Sequence, residues 1–340
     1  MFGSLQKFLQ RENLDLALFF NSDANITYFA DVKTDLGCLA IPASGKALLF
    51  VPGFEAERLA KLSRIKVVKV GSGFLKDVHK LFPGKNIGII PGLISYSQAH
   101  SIQSEWNARL VNIEDFCKKL RAVKSHDEIR RITKACAITD ALFAEVCSVM
   151  HLFKTELDVA NFLKLRISQL GLETSFPPIV ASGKNGAVPH HIPSNAKLKG
   201  FTVIDFGIIY KNYCSDITRT VFFGVPSAKD RKVYQNLLKI QAQCVRKALV
   251  GAKLEELSEF AQKSVGKTMI HRVGHSLGIE VHDVQPRPFV LEAGNVITIE
   301  PGTYPGKFGI RIEDDVLITE KGPVLLTKSP KNLRVFGRKV

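Results

Sequence analysis

The segment 200–224 constrains the fold most, because it has the pattern of a β-hairpin with two acidic residues inside apolar strands. One apolar strand runs into a polar turn at residues 211–212, and a second apolar strand returns from it. A turn centred there places Thr218 opposite Asp205 and makes Asp216 the diagonal neighbour of Asp205, roughly 7–8 Å away on the same face. Two carboxylates buried at that distance require a cation or a proton. An edge hairpin with both acids in solvent is the alternative at this point.

The order of elements around this hairpin occurs a second time later in the chain. A long helix over 126–150, a helix capped by Thr155 and an irregular loop precede the first hairpin. Two further helices and a loop rich in histidine and glycine precede a second hairpin-like segment, 295–319. Its acids, Glu300 and Glu313, again stand in apolar strand contexts. Two such halves packed about a pseudo-twofold axis would bring four carboxylates to one centre.

The first third of the chain alternates between short apolar strands and helices, which predicts an α/β domain with a mixed sheet. The expected strands are 14–20, 37–42, 47–52, 65–70, 86–90 and 109–113, and the expected helices are 54–62, 74–82 and 96–106. A turn at residues 43–46 makes the second and third strands antiparallel. We expect two domains, 1–118 and 119–340, and see no catalytic cluster in the first.

Composition and charge exclude several classes of protein. The apolar content of 45% and the charged content of 23% are typical of a soluble globular chain, and we see no apolar run of membrane-span length and no signal-peptide pattern. Six scattered cysteines without a CxxC motif indicate free thiols in a reducing compartment, so a cytoplasmic location is expected. The net charge of +15 is spread along the chain outside a basic tail, which favours a solvated basic surface over a nucleic-acid partner.

The four acids, joined by a histidine, suit a pair of metal ions. Bridging carboxylates and one nitrogen donor favour two adjacent transition-metal ions over magnesium. The histidine candidate is His275, which lies between Gly274 and Gly278, where a close backbone approach is allowed. A two-metal centre lowers the pKa of a water and polarises a carbonyl. These residues together favour a metallohydrolase.

Five segments resemble, in order and spacing, the pita-bread metallopeptidases, and most closely prolidase and aminopeptidase P, which cleave Xaa-Pro bonds. The segments are IVASGKNGAVPHHIPS, VIDFG with YCSDITRT, HRVGHSLGIEVHD, ITIEPGTY and GIRIEDDVLIT. The preceding LRAVKSHDEIRRITKA also matches, and NSDANITYFADV resembles the N-terminal domain of creatinase and prolidase. The resemblance covers nearly the whole chain. It implies an α/β N-terminal domain followed by an α+β pita-bread catalytic domain with an internal pseudo-twofold repeat.

The resemblance also implies the metal ligands. The five ligands would be Asp205, Asp216, His275, Glu300 and Glu313. Asp216 and Glu313 would bridge the two ions, and Glu300 would also handle the proton of the bridging water. The implied cofactor is a pair of divalent ions, manganese or cobalt before iron or zinc.

The substrate side of the site is implied in the same way. His190 would bind the substrate, His282 would stabilise the tetrahedral intermediate, and these two would be catalytic together with Glu300. The remaining substrate-binding residues would be a further pocket histidine, a supporting arginine and an arginine that clamps the carboxylate of a dipeptide, namely His271, Arg311 and Arg287. We expect His191 to be an exposed neighbour of the site, and Arg219 and Arg272 to form structural ion pairs.

These expectations favour a prolidase, acting on Xaa-Pro dipeptides, and leave other functions open. Aminopeptidase P performs the same chemistry on longer proline-containing peptides. A pita-bread domain that has lost catalysis and binds a partner is the alternative of a different class, but it would normally lack some of the five ligands. Methionine aminopeptidase normally lacks so large an N-terminal domain, and creatinase works without metals. The resemblance further implies a homodimer.

Overall fold

In the computed structural model of the protein, residues 2–71 and 73–337 are described. The chain divides into two compact units, Met1–Arg121 and Ala122–Val340. The predicted domain boundary after residue 118 stays a prediction.

The first unit is built on a mixed six-stranded sheet in the order β4-β3-β2-β1-β5-β6. Its strands are β1 (Leu16–Phe20), β2 (Cys38–Pro42), β3 (Leu48–Pro52), β4 (Lys66–Val70), β5 (Asn86–Ile89) and β6 (Arg109–Asn112). Its helices are α1 (Phe2–Arg11), α2 (Ala24–Ala30), α3 (Gly53–Leu62), α4 (Phe74–Leu81), α5 (Tyr96–Glu105) and α6 (Glu114–Ala122). The six predicted strands and the antiparallel pairing of β2 with β3 are confirmed.

Helix α2 is an element that the sequence pattern did not reveal. Six of its seven residues are buried, so it lacks the alternation of apolar and polar faces by which a surface helix is recognised. The Asp23 side chain caps it by accepting the backbone N–H of Asn25.

The second unit contains four long helices and twelve short strands among the described residues. The helices are α7 (His126–Val149), α8 (Glu156–Gln169), α9 (Ala228–Lys247) and α10 (Leu254–Val265). The strands of the first half are β7 (Glu173–Thr174), β8 (Ile179–Ser182), β9 (Gly200–Phe206), β10 (Ile208–Tyr210), β11 (Tyr213–Cys214) and β12 (Ile217–Phe223). Those of the second half are β13 (Val296–Ile299), β14 (Gly302–Thr303), β15 (Ile310–Arg311), β16 (Asp314–Thr319), β17 (Gly322–Leu325) and β18 (Val335–Phe336).

The order of two helices, a loop and a two-acid hairpin is present twice, as predicted. In the first half, α7 and α8 bury residues such as Leu142 and Leu163 against Ile204 of β9. In the second half, α9 and α10 cover β13 and β16 in a separate apolar cluster that contains Leu257 and Ile297. Each helix pair therefore shields one face of one hairpin and leaves the acid-bearing parts to meet elsewhere.

The start of α8 confirms the predicted cap. The Thr155 hydroxyl accepts the N–H of Asp158, and the Asp158 carboxylate accepts the N–H of Thr155, which forms a capping box. This cap fixes where the first turn of α8 begins and therefore where the next residue, Glu156, points.

One segment corrects the expectation that no apolar run reaches the length of a membrane span. The helical stretch His126–Leu152 has 27 residues and a mean hydropathy of 1.4 over its most apolar window. By length and composition alone, it meets the test for a helix that could cross a membrane. In the fold, its residues Leu142, Phe143 and Val146 are buried in the core of the second unit. A buried core helix passes the same test because packing requires the same apolar side chains.

Candidate metal centre

The first hairpin has the predicted register. Thr218 pairs with Asp205 in the antiparallel ladder between β9 and β12. The predicted continuous hairpin is interrupted, however, because β10 and β11 turn away into another sheet. The break occurs at Gly207, where a Cβ atom would lie 1.8 Å from the Ser215 carbonyl oxygen. Asp216 follows this close approach directly, and both acids line one cavity.

The second hairpin supplies its acids at the ends of its strands. Glu300 directly follows β13, and Glu313 directly precedes β16. The Thr218 hydroxyl donates to Glu313 Oε2 at 2.6 Å, and the Glu313 N–H donates to the Thr218 carbonyl at 3.1 Å. The Asp216 N–H donates to Asp315 Oδ2 at 2.9 Å. These bonds tie the two hairpins together at the acids.

His275 joins this cluster through its Nε2 atom. That atom lies 3.8 Å from Asp216 Oδ2 and 3.4 Å from Glu300 Oε1, while Nδ1 lies 3.1 Å from the Ser276 carbonyl oxygen. A proton on Nδ1 satisfies that carbonyl and leaves the Nε2 lone pair free for a metal. The preceding Gly274 is required, because a Cβ there would lie 1.9 Å from the Thr298 carbonyl oxygen.

The charges of the cluster fit bound cations. One ligand atom from each of Asp216, His275 and Glu313 lies within 4.8 Å of the other two. Burial raises the pKa of Asp216, and the neighbouring carboxylates of Glu313 and Asp205 raise it further. Burial also raises the pKa of Glu300 and Glu313.

Two buried oxygens in the cluster are left without partners. Within the described part of the chain, Asp205 Oδ1 and Asp216 Oδ1 accept no hydrogen bond. A buried carboxylate oxygen without a donor is costly, and a divalent cation removes that cost. Carboxylates and one imidazole nitrogen form a donor set that divalent transition metals accept.

Arg311 braces the cluster from one side. Its Nη2 atom lies 2.5 Å from Asp205 Oδ2, its Nε atom donates to the Thr218 hydroxyl at 3.1 Å, and its Nη1 atom donates to the Tyr304 hydroxyl at 2.9 Å. Nη1 also lies 3.4 Å from the Pro189 carbonyl oxygen, next to His190. The arginine therefore links the acids to the wall of the cavity. Tyr304 is a residue whose role the sequence did not reveal, although it closes the ITIEPGTY segment.

The cluster forms the floor of a cavity of about 960 Å³. This volume suits a small ligand. Its lining also contains apolar side chains and imidazoles, namely Phe176, Pro177, Pro178, Val188, Ile192, His190, His191, His271 and His282. The cavity thus combines acids at the bottom with an apolar wall.

The predicted substrate histidines line this cavity. The His282 ring lies 4.2 Å from the His275 ring, in an edge-on arrangement. His271 Nε2 lies 2.9 Å from the Tyr304 hydroxyl. Burial lowers the pKa of both His271 and His282, which favours their neutral forms near pH 7. His190 lines the cavity beside Pro189.

Three arginines differ in how they relate to their predicted roles. The ion pair predicted for Arg219 is confirmed, since its Nη2 atom lies 2.8 Å from Asp314 Oδ1 and both side chains are buried. Arg272 makes no ion pair among the described residues and instead lines the cavity, so its predicted role is wrong. Arg287 is exposed and is not among the lining residues, and its carboxylate clamp stays a prediction.

His191 corrects another expectation. It is only partly exposed, and its Nε2 atom lies 2.9 Å from Oε2 of the fully buried Glu156. Glu156 was missed because its partners stand 26 to 38 positions away along the chain, and no motif marks them.

Comparisons with known proteins agree with this geometry. The profile of metallopeptidase family M24 matches residues 130–320, and that of the creatinase/prolidase N-terminal domain matches residues 2–123. The chain is 34% identical to the Xaa-Pro dipeptidase of Pyrococcus furiosus over 97% of this chain and 98% of that protein.

Two solved structures extend the similarity to the fold. The prolidase from Pyrococcus horikoshii superposes with a TM-score of 0.89 at 31% identity and covers 98% of this chain and 99% of its own. The X-Pro aminopeptidase from Thermotoga maritima superposes with a TM-score of 0.88 at 30% identity and covers 96% of this chain and 99% of its own. The chain belongs to metallopeptidase family M24, with a creatinase/prolidase N-terminal domain ahead of a pita-bread catalytic domain.

Proposed function

We propose that the protein is a prolidase, a two-metal peptidase that hydrolyses Xaa-Pro dipeptides. The observation that carries this proposal is the cluster of four carboxylates and one histidine at the floor of a cavity of about 960 Å³. Similarity to an Xaa-Pro dipeptidase over 97% of the chain supports the substrate class. Aminopeptidase P activity on longer peptides is the second candidate, supported by the likeness to an X-Pro aminopeptidase structure.

Asp205, Asp216, His275, Glu300 and Glu313 would hold the two ions. Support comes from the unpaired buried oxygens of Asp205 and Asp216 and from the orientation of His275. Manganese or cobalt is favoured over iron or zinc, with geometry and supply selecting among them. When bound, the ions supply Lewis-acid polarisation of the scissile carbonyl and lower the pKa of the attacking water.

The chain's own residues would position the substrate and move the proton. Glu300 is suited to accept a proton and pass it to the proline nitrogen, because burial raises the pKa of its carboxyl. Neutral His282 would donate a hydrogen bond to the oxyanion as it develops. His190 would hold the substrate from the wall, while His271 and Arg311 would fix the surroundings through Tyr304.

The carboxylate of a dipeptide requires a cation. Arg287 is the residue that the family resemblance assigns. Arg272 is a second candidate because it lines the cavity without an ion pair among the described residues. A bidentate arginine-carboxylate pair would explain a preference for dipeptides. Alanine variants of the two arginines, compared on a dipeptide and a tripeptide, distinguish them. Only the loss of the arginine that binds the dipeptide carboxylate should raise KM for the dipeptide and leave KM for the tripeptide unchanged.

The experiment that tests the function compares an Xaa-Pro dipeptide with an Xaa-Pro-Xaa tripeptide in the presence of manganese or cobalt. We expect cleavage of the dipeptide, and loss of that cleavage in Asp216→Ala. Cleavage of the tripeptide alone would move the protein to aminopeptidase P. If the folded protein cleaves neither peptide, the peptidase proposal fails and a non-catalytic binding protein becomes the better explanation.

We also propose a cytoplasmic homodimer. All six cysteines are buried and none forms a disulfide, which supports a reducing compartment. The dimer rests on the family resemblance, and sedimentation velocity tests it, since a single species of one-chain mass would contradict it.

A further inference from the structure

The carboxylate of Glu156, at the first turn of α8, is fully buried and surrounded by hydrogen-bond donors. Oε1 accepts the Ser182 N–H at 2.7 Å and the Asn185 side-chain amide at 2.9 Å. Oε2 accepts the Ser194 hydroxyl at 2.8 Å and the Ser194 N–H at 3.1 Å, and it lies 2.9 Å from His191 Nε2. A single side chain therefore receives five donors.

These donors share one segment of chain. They belong to residues 182–194, which leave β8, pass through a short 3₁₀ helix and form a wall of the cavity. This segment contains Val188, Pro189, His190 and Ile192, all of which line the cavity. Glu156 thus holds both ends of the loop that carries His190.

The same loop is also held by contacts with residues next to the proposed metal ligands. Arg311 Nη1 lies 3.4 Å from the Pro189 carbonyl oxygen. Gly186 and Gly309 pass so closely that a Cβ on Gly309 would lie 1.7 Å from the Gly186 carbonyl oxygen. The residue next to Pro189 is His190, and the one after it is bonded to Glu156. The histidine is therefore fixed on both flanks.

The donor shell requires an ionised acid at this position. Burial raises the pKa of Glu156, but the hydrogen bonds from Ser182, Asn185, His191 and Ser194 outweigh burial and hold the pKa below its usual range. Glutamine has the same shape but replaces one acceptor oxygen with an NH₂ group. Whichever oxygen is replaced, at least two donors would face another donor.

We infer that Glu156 is a positioning residue for substrate binding: its carboxylate holds the wall that carries His190 against the metal centre. The inference rests on the proposed peptidase function for its kinetic consequence, but not for its structural one. The segment has little regular structure of its own, so the carboxylate supplies the order that a strand or helix would otherwise give.

The test is Glu156→Gln with Glu256→Gln as the matched control. Both changes turn a glutamate into its amide in the first turn of a helix, so they remove the same charge from a helix start. Glu256 forms an exposed ion pair with Lys253 and, among the described residues, makes no hydrogen bond with the wall segment. Both variants are assayed well below their melting temperatures.

Hydrogen exchange gives the structural readout. In Glu156→Gln we expect the amides of 182–194 to exchange faster by at least on the order of tenfold, because at least two donors lose a charge-assisted hydrogen bond. The amides in the middle of α7 should exchange as in the unaltered protein. Unchanged exchange in 182–194, or an equal increase in the control, overturns the inference.

Steady-state hydrolysis of an Xaa-Pro dipeptide gives the functional readout. We expect KM to rise on the order of tenfold in Glu156→Gln, with bound metal unchanged and KM unaltered in the control. Faster exchange without a change in KM would reduce Glu156 to a stabilising residue and overturn the positioning role. If the unaltered protein cleaves no dipeptide, the proposed function fails, whereas the exchange experiment still decides whether Glu156 holds the wall.

A second pair of variants separates the hydrogen bond from packing. His191→Gln keeps an N–H donor within reach of Glu156, and His191→Leu removes it. We expect the amides of 182–194 to exchange within about twofold of the unaltered protein in the glutamine variant, and faster in the leucine variant, though less so than in Glu156→Gln. Equal exchange in the two His191 variants would count against the hydrogen bond.

Discussion

Replacing Asp216 with asparagine should stabilise the metal-free protein. Asp216 is buried, one of its oxygens has no hydrogen-bond partner among the described residues, and burial together with Glu313 and Asp205 raises its pKa. An asparagine of the same shape carries no charge and donates to those carboxylates. Removing one uncompensated buried group should raise the free energy of unfolding by about 1–3 kcal/mol. For a unit of this size, that raises Tm by roughly 2–12 °C.

The effect depends on pH with a definite sign. A carboxyl whose pKa is raised on folding binds more protons in the folded state than in the unfolded one, so the folded state loses stability as pH rises. The loss begins above the unfolded pKa of about 3.9. We therefore expect the variant and the unaltered protein to melt together near pH 4 and to separate as pH increases.

Added metal should reverse the order of stability. At a manganese concentration about 100 times Kd, binding stabilises the unaltered protein by about 2.7 kcal/mol, or roughly 5–11 °C. The asparagine variant lacks one proposed bridging ligand and should gain little. Differential scanning calorimetry with chelator and with manganese, at pH 5 and 8, measures both effects. Glu320→Gln, an exposed acid in the same unit, is the control.

One result would refute this reasoning. If Asp216→Asn melts below the unaltered protein in chelator at pH 8, the carboxylate is not an uncompensated charge in the metal-free state, and the argument for a cation from buried charge fails.

Three further predictions follow from the same structure. Asp314→Asn should lower stability by about 3–5 kcal/mol because it leaves Arg219 buried without its charge partner, and an unchanged urea midpoint would contradict this. Gly207→Ala should lower the free energy of unfolding by at least about 1–3 kcal/mol and reduce the rise of Tm with manganese, because its Cβ would clash with the Ser215 carbonyl oxygen. An unchanged rise of Tm with manganese would argue against the strand break as a support for Asp216. All six cysteines are buried, and burial raises the pKa of Cys117 to about 12, so an aromatic disulfide reagent at pH 8 should react only after unfolding; rapid titration of any thiol in the folded protein would disprove this.

The placement of the acids could be predicted because it depends on short-range rules. A polar turn fixes hairpin register, and register with a period of two fixes which side chains share a face. The pairing of Thr218 with Asp205 followed from those rules alone. The interruption at Gly207 did not, since it arises from a carbonyl approaching from eight positions away.

The contacts between distant segments could not be predicted. Glu156 belongs to a helix whose cap was visible in sequence, but its partners lie in a loop without periodicity. Arg272 and Arg287 are both exposed, but only Arg272 lies among the residues that line the cavity, and the local sequence around the two arginines does not reveal this difference. Charge and motif predict which residues carry chemistry, whereas the course of the loops decides which of them meet.

The division of the acids between two hairpins has a consequence for protein synthesis. The carboxylates at the floor of the cavity stand at positions 205, 216, 300 and 313. At a typical translation rate the ribosome needs roughly 5–20 s to pass from the first pair to the last residue. During that interval the emerging chain lacks at least one of its four acids and cannot assemble the cluster. The growing polypeptide is therefore expected to be inert as a peptidase until Glu313 has been added and the second hairpin has folded against the first.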